Sequence, residues 1–464
     1  MRVINIFIYF LIVILTSCSS EETNNIDLSG EWSFQIDSLD IGETEEWYNQ
    51  KLIDKVKLPG SMVENDKGNK ITMQTKWIGG IQQKEWFIDP AFAPYHNPDS
   101  VRFPFWLQPE KKYTGVAWYQ KEIVVPTDWK NKTISLKLER CHWETTVWLN
   151  DIIVGTQNSL STPQTYDLPS LSTGKHLLTI RVDNRVKDID VGENSHSISD
   201  HTQSNWNGIV GEISLNKKEK VFVNNLILKP DIKNKSVRIT ADIYNELENN
   251  KKISLVISAE DITNKSSSSI AIKKQFELQK GSNEIDIEYS LGKDAKLWDE
   301  FNPNLYKLNV ALTFDEIETK YSETFGLREI NIDDNQIKLN GRRIFLRGTL
   351  ECSIFPKTGY PSTDIMEWKR IYKVIKSFGL NHMRFHSWCP PEAAFEAADE
   401  EGIYLQVECG SWANQSTTLG DGKPVDNFVW EESKRIVKEY GNHPSFCFMA
   451  YGNEPGGKNY KKYL

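Results

Sequence analysis

Two spacings of apolar residues divide this chain. Over residues 27–330 they recur at every second position, the period of a half-buried strand. Beyond about 331, stripes at three- and four-residue spacing alternate with short unbroken apolar runs. Trp32, Phe34 and Ile36 alternate in the first strand, Ile134, Leu136 and Leu138 in the segment 133–139. Residues 117–126 form a run closed by Pro126, Asn150-Asp151 joins 145–149 to 152–155, and 175–182 adds another. Short strands separated by turn signals predict a β-sandwich of the jelly-roll type over residues 27–218. Residues 77–112 break the pattern: Trp86, Phe87, Phe92, Tyr95, His96, Phe103, Phe105 and Trp106 stand among prolines without a period. So long and aromatic a segment is expected to lie against a neighbour or over a binding site. In 219–330, alternating runs at 237–244, 253–260, 273–278, 283–289, 306–314 and 319–325 predict an immunoglobulin-like β-sandwich. Polar turns such as Glu248-Asn249-Asn250 separate them, and 264–269 is a Ser-rich loop.

The third segment, 331–464, reads differently. Asn340-Gly341 suits the two-residue turn of a hairpin over 336–343, and a strand follows at 344–350. Asp364 and Glu367 suit a helix start, and Ile365, Trp368, Ile371, Tyr372 and Ile375 form one apolar stripe ending at Gly379. A strand at 382–385, a helix at 392–401 opened by Pro390-Pro391 and ended by Gly402, and a strand at 404–407 with Glu408 at its tip come next. A helix at 427–440 and a strand at 446–451 complete four βα-type repeats. Such alternation predicts a parallel sheet, here the first half of a (β/α)8 TIM barrel. The last strand stops at Gly452 and presents Asn453 and Glu454 at its C-terminal lip, where such barrels carry their chemistry.

Composition narrows the class. Hydrophobic residues at 39% and charged residues at 26% describe an ordinary globular protein. The net charge of −9 is dispersed and no basic stripe exists, which argues against a nucleic-acid partner. Fifteen Trp and seventeen Tyr serve either as core or as flat faces for sugar rings. At the N-terminus, Arg2 precedes an apolar run over 3–15, and Leu15-Thr16-Ser17-Cys18 fits a bacterial lipoprotein box. Residues 1–18 are therefore expected to be a signal peptide with Cys18 lipidated, and 19–26 a tether. The run is short for a span, so the protein is expected to be lipid-anchored in a bacterial cell envelope. Cys141, Cys352, Cys389, Cys409 and Cys447 have no paired spacing, so they read as free thiols and no metal or other cofactor is indicated.

The residues that carry a resemblance run the length of the mature chain. They are Leu28-Ser29-Gly30-Glu31-Trp32, Trp118-Tyr119, Glu144 to Asn150, Arg181-Val182-Asp183-Asn184, Asn207-Gly208-Ile209 and Leu339-Asn340-Gly341 through Gly348. Most specific is His443-Pro444-Ser445 followed by Gly452-Asn453-Glu454. In this order they resemble glycoside hydrolase family 2, which includes β-galactosidases, β-glucuronidases and β-mannosidases.

The resemblance implies a retaining exo-β-glycosidase that removes terminal β-linked sugars from an oligo- or polysaccharide, using two carboxylates on one ring. Glu454 is implied as the general acid/base, and Asn453 as the donor to the hydroxyl beside the anomeric carbon. Arg384 is implied to pair with carboxylates near the centre. His386, Glu408, Trp388 and Trp412 are candidates for the substrate wall, the two tryptophans reading equally as sugar platforms or as core; His386 stands one place before the family's His, at whose position lies Ser387. Thr349-Leu350-Glu351-Cys352 replaces the family's Asn-Arg-His-Glu run, which points away from a galactosidase-type site and its cation. The family nucleophile, a Glu on the seventh strand, has no counterpart here. The chain is therefore expected to be the N-terminal part of a longer enzyme, inactive alone. A carbohydrate-binding envelope lipoprotein without catalysis is the alternative.

Overall fold

The structure, a computed structural model, describes residues 24–72, 74–77, 89–97, 100–101, 110–200, 205–265, 270–413 and 417–463. The expected signal peptide, Cys18, and the aromatic residues Trp86, Phe87, Phe103, Phe105 and Trp106 lie outside them, as do 266–269 of the Ser-rich loop. The fold is β-rich and multidomain.

Two antiparallel sheets face each other in the first part of the chain. One has six strands in the order Ile152–Gln157, Glu144–Leu149, Gly174–Asp183, Val116–Val125, Gly30–Asp37 and Asp54–Leu58. The other orders Asn25–Asp27, Gly208–Lys218, Thr133–Cys141 and Gln164–Asp167, with Gly60–Ser61 pairing to the second of these. Trp32, Phe34, Ile134, Leu136, Leu138, Val147 and Ile180 all enter one core between the sheets, as their alternation requires. The tether needs correction. Asn25 and Ile26, expected in it, form an edge strand, where Asn25 Nδ2 donates to Glu212 and Asn216.

The second sandwich joins a three-stranded sheet (Val221–Asp231, Ser236–Asn245, Gly281–Ser290) to a four-stranded one (Ile272–Leu278, Lys251–Asp261, Tyr306–Phe314, Ile317–Phe325). Strand Val221–Asp231 was not legible in the sequence. Its register shifts between Val223 and Asn225, and such a bulge puts the apolar alternation out of phase.

The third part begins with strands Ile330–Asp333, Gln336–Leu339 and Arg342–Arg343. Asn340 and Gly341 both have positive φ, 52° and 75°, as a two-residue hairpin turn of type I′ demands. Four parallel strands follow, each hydrogen-bonded to the next: β1 (Gly348–Glu351), β2 (His382–Phe385), β3 (Tyr404–Trp412) and β4 (Phe446–Asn453). Between them run α1 (Ile365–Ser377), α2 (Glu392–Glu401) and α3 (Pro424–Tyr440). The Asp364 side chain caps α1 through Met366 N, Gly402 ends α2 in the left-handed conformation, and Pro424 stands at the start of α3.

Boundaries differ from expectation, as at β4, which does not stop at Gly452 but runs on to Asn453. β1 starts at Gly348, not 344, because Ile344 and Leu346 pack instead beside Trp298, Leu305, Leu339 and Tyr404. Helix α3 starts three residues early, where Asp426 accepts from Gly420 N and Gly422 N at 2.7 Å each. β3 runs on to Trp412, so Glu408 lies within the strand rather than at its tip.

The first sandwich and the parallel sheet share a core. Trp143, Leu160, Ile189, Val191 and Ile198 join the cluster built by Trp368, Phe385, Phe395, Leu405 and Val429. Polar contacts accompany it: the buried Glu432 of α3 accepts from Ser159 Oγ and Leu160 N, both at 2.9 Å, and Arg140 donates to Cys389 O at 3.2 Å. The two parts are thus a single packed unit, and the C-terminal lip of the parallel sheet lies against the first sandwich.

Candidate functional site

One arginine ties three of the parallel strands together. Arg384 on β2 donates through Nε to Glu408 Oε1 of β3 at 2.6 Å and through Nη2 to Asn453 Oδ1 of β4 at 2.8 Å. The second oxygen of Glu408 accepts from Ser387 N at 2.7 Å. Glu408 is 1% exposed. Burial pushes its carboxyl above the ordinary range, against the pull of Arg384 and Ser387 N. A buried carboxylate with both oxygens engaged is built to hold its partners in place. Because the Asn453 carbonyl accepts from Arg384, its amide N–H2 is the end left to donate toward a ligand.

Glu454 follows directly, exposed and with φ at +40°. This left-handed backbone is uncommon for a residue with a side chain and clusters at functional positions. The strand can bring it there because residue 452 is glycine: a Cβ at Gly452 would lie 2.1 Å from the Ser411 carbonyl oxygen. Trp412, the last residue of β3, donates from Nε1 to Glu454 Oε2 at 2.8 Å.

The wall beside Glu454 is aromatic. The His386 ring meets the Trp412 ring edge to face at 4.5 Å between centroids. His386 is 8% exposed, and its Nδ1 has no hydrogen-bond partner among the described residues. Burial, and then the Arg384 charge, push its pKa down, so the ring is neutral at neutral pH. A third ring comes from the first sandwich: His196 lies 4.9 Å from His386 and 5.4 Å from Trp412.

The structure therefore brings together six of the residues singled out in the sequence: Glu454, Asn453, Arg384, His386, Glu408 and Trp412. Trp388 does not belong with them. It is 3% exposed, meets Phe385 edge-on at 5.1 Å and donates from Nε1 to Glu351 O at 3.1 Å, so no ring face is open to a sugar. Ser387, at the position of the family's His, is fully buried and turned toward the first sandwich: its Oγ accepts from His196 N at 2.9 Å. Glu351, at the end of β1, accepts from Ser353 N and Ile354 N at 2.7 and 3.1 Å, and burial raises its carboxyl to about 7. Cys18 lies outside the described residues, and among those residues no group of three or more His, Cys, Asp or Glu could hold a metal ion.

His196 and its flanking residues were missed in the sequence. They lie in the long connection between strands Gly174–Asp183 and Gly208–Lys218, where no period marks which side chain faces what. The available signal was a histidine among small polar residues in such a connection, a common setting for binding groups.

Two family models match the chain: "Glycosyl hydrolases family 2" over residues 221–328, and "Glycosyl hydrolases family 2, TIM barrel domain" over 330–464. A β-galactosidase of Thermoanaerobacterium thermosulfurigenes is 23% identical over 374 residues, 76% of this chain and 48% of the relative. A putative β-glucuronidase of Formosa agariphila is 26% identical over 365 residues, 75% of this chain and 41% of the relative. Among solved structures, Bacteroides uniformis β-glucuronidase superposes with a TM-score of 0.71 at 17% identity, covering 95% of this chain and 48% of that one. The chain thus spans about half the length of the curated relatives it matches.

Proposed function

The chain belongs to glycosyl hydrolase family 2, and from that premise we propose that the whole protein is a retaining exo-β-glycosidase with Glu454 as its general acid/base. In this reading β1 to β4 are the first four strands of the catalytic barrel. The observation that carries it is the pair Asn453-Glu454 at the C-terminal end of a parallel strand, with Asn453 held by Arg384 and Glu454 by Trp412.

Glu454, protonated, gives its proton to the glycosidic oxygen as the bond to the anomeric carbon breaks. A second carboxylate takes that carbon from the opposite face, roughly 5 Å away, and Glu454 then removes a proton from the water that releases the sugar. Glu408 is unsuited to the nucleophile's part, because it is buried and both its oxygens are engaged. We assign that part to no residue of this chain. Asn453 donates to the hydroxyl next to the anomeric carbon, and His386 and Trp412 border the sugar. The substrate is a terminal β-linked sugar of an oligo- or polysaccharide, and the amino-terminal segment, acylated at Cys18, tethers the enzyme to a bacterial envelope membrane.

Hydrolysis by the complete protein of a panel of aryl and alkyl β-glycosides tests this reading. Glu454→Gln is expected to lower turnover of alkyl glycosides by about 10²–10⁴-fold, the usual worth of a general acid, and to slow glycosylation by good leaving groups far less. Equal losses for both classes would reject the acid/base role. Sugar binding without turnover of any substrate would favour a binding protein.

A further inference from the structure

We infer that Trp412 is a positioning residue for the Glu454 carboxyl, and that the first sandwich, through residues 191–197, holds Trp412 in place. The inference rests on the acid/base reading of Glu454 and adds to it the source of that group's orientation.

The chemical argument starts from the indole. Its Nε1–H can only donate, so Glu454 Oε2, 2.8 Å away, is occupied as an acceptor. The proton of the acid form is thereby confined to Oε1, and the contact selects which oxygen faces the leaving group. Orientation of this kind matters because protonation must coincide with bond breaking.

An indole can aim a carboxyl only if it is itself fixed, and the fixing groups come from a distant stretch of chain. Trp412 N donates to Val191 O at 2.8 Å, ending β3 against the first sandwich. Ser195 Oγ donates to Gly410 O, two residues earlier. Approach is close there: a Cβ at Gly410 would lie 2.9 Å from Ser197 Oγ. On the other side of the indole, His386 is held through its neighbour Ser387, which accepts from His196 N at 2.9 Å and from Ser197 Oγ at 2.7 Å. The His196 ring touches both His386 and Trp412. Docking alone is already served by Glu432 of α3 and by Arg140, which donates to Cys389 O, so these contacts, gathered on the residues beside Trp412, have a local purpose.

Two measurements test the inference. In the full chain with 15N-labelled tryptophan, the Trp412 indole resonance, assigned with Trp412→Phe, should move as pH crosses the ionisation of Glu454. It should lose that dependence in Glu454→Gln. A resonance indifferent to pH, or one whose response persists in Glu454→Gln, overturns the contact. In the complete protein, Trp412→Phe keeps the ring and removes the donor. Turnover of alkyl glycosides should fall about tenfold with KM unchanged, the worth of one hydrogen bond to the neutral acid, and good leaving groups should lose under about twofold. Equal losses in the two classes overturn the positioning role. His196→Ala should give the same pattern at severalfold size, and His196→Phe should restore it. A wild-type pattern in His196→Ala overturns the part assigned to the first sandwich. Should Glu454→Gln itself show no leaving-group dependence, the acid/base role falls, while the indole resonance still tests the contact separately.

Discussion

The two ends of β4 both carry polar residues against carboxylates, and they are built for opposite purposes. At the N-terminal end, His443 is 8% exposed, with Nδ1 2.6 Å from Asp399 Oδ2 and Nε2 3.5 Å from Glu392. Ser445 N closes the other Asp399 oxygen at 2.9 Å. Burial alone would push the His443 pKa down, but Asp399 and Glu392 raise it to about 10. At the C-terminal end, Glu454 is exposed, sits on left-handed backbone and meets the indole of Trp412 with one oxygen. One end has its charges buried and mutually neutralised, and the other leaves a carboxyl facing solvent. In α/β barrels the same asymmetry separates a stabilising face from a reactive one. Sequence motifs do not distinguish them: His443-Pro444-Ser445 and Gly452-Asn453-Glu454 count equally as family marks.

The largest expected effect that would break this comparison is at the open end. Glu454→Gln should remove most turnover of poor leaving groups, yet shift the unfolding free energy by less than about 0.5 kcal/mol, as surface changes usually do. A large loss of stability in urea denaturation would show that Glu454 is part of the framework. At the closed end, Asp399→Ala strands a buried imidazolium and should cost about 3–5 kcal/mol of stability. If turnover by the variant that still folds depended newly on leaving group, the division between the ends would fail.

A smaller effect is expected from Gly452→Ala, which forces a methyl onto the Ser411 carbonyl. A cost of about 1–3 kcal/mol, typical of strained backbone, should appear in thermal denaturation together with reduced turnover. A wild-type melting temperature would mean that β3 and β4 can separate freely there. The gentlest test uses pH. His443 has its folded pKa raised to about 10, above the ordinary value near 6.5. Its contribution is therefore fully present below about 6.5 and is lost as pH rises through about 10. Urea denaturation between these limits should show declining stability, and His443→Asn should flatten that slope. An unchanged slope would place the titrating group elsewhere.

Much of the scaffold is legible in the order of the amino acids. The strands His382–Phe385 and Tyr306–Phe314 and the helix Glu392–Glu401 lie where apolar spacing and turn residues put them. Asn340-Gly341 turns as its residue types require. Arg384 was expected to pair with carboxylates, and it pairs with one, Glu408. Trp388 and Trp412 show where such reading stops. Both are tryptophans near strand ends in the same repeat region. One is enclosed by Phe385 and Phe355, and the other reaches Glu454. No spacing rule separates them, because the difference depends on which neighbour occupies the space above each ring.

Local order was within the sequence's reach: period two for the sandwiches, period 3.6 alternating with apolar runs for the βα repeats, and the position of Asn453-Glu454 at the end of a strand. These follow from backbone geometry and from each residue's own preference for water or core, which act over a few positions. Tertiary structure alone decided that Glu408 would be buried within β3, that Trp388 would be core, and that His196 would stand beside His386. The first two depend on contacts between neighbouring repeats, and the third on packing between segments about 190 residues apart in the chain, as the hydrogen bond from His196 N to Ser387 Oγ illustrates. Contacts of that kind arise only when two separately folded surfaces meet, and neither surface records in its own spacing which side chains the other will supply.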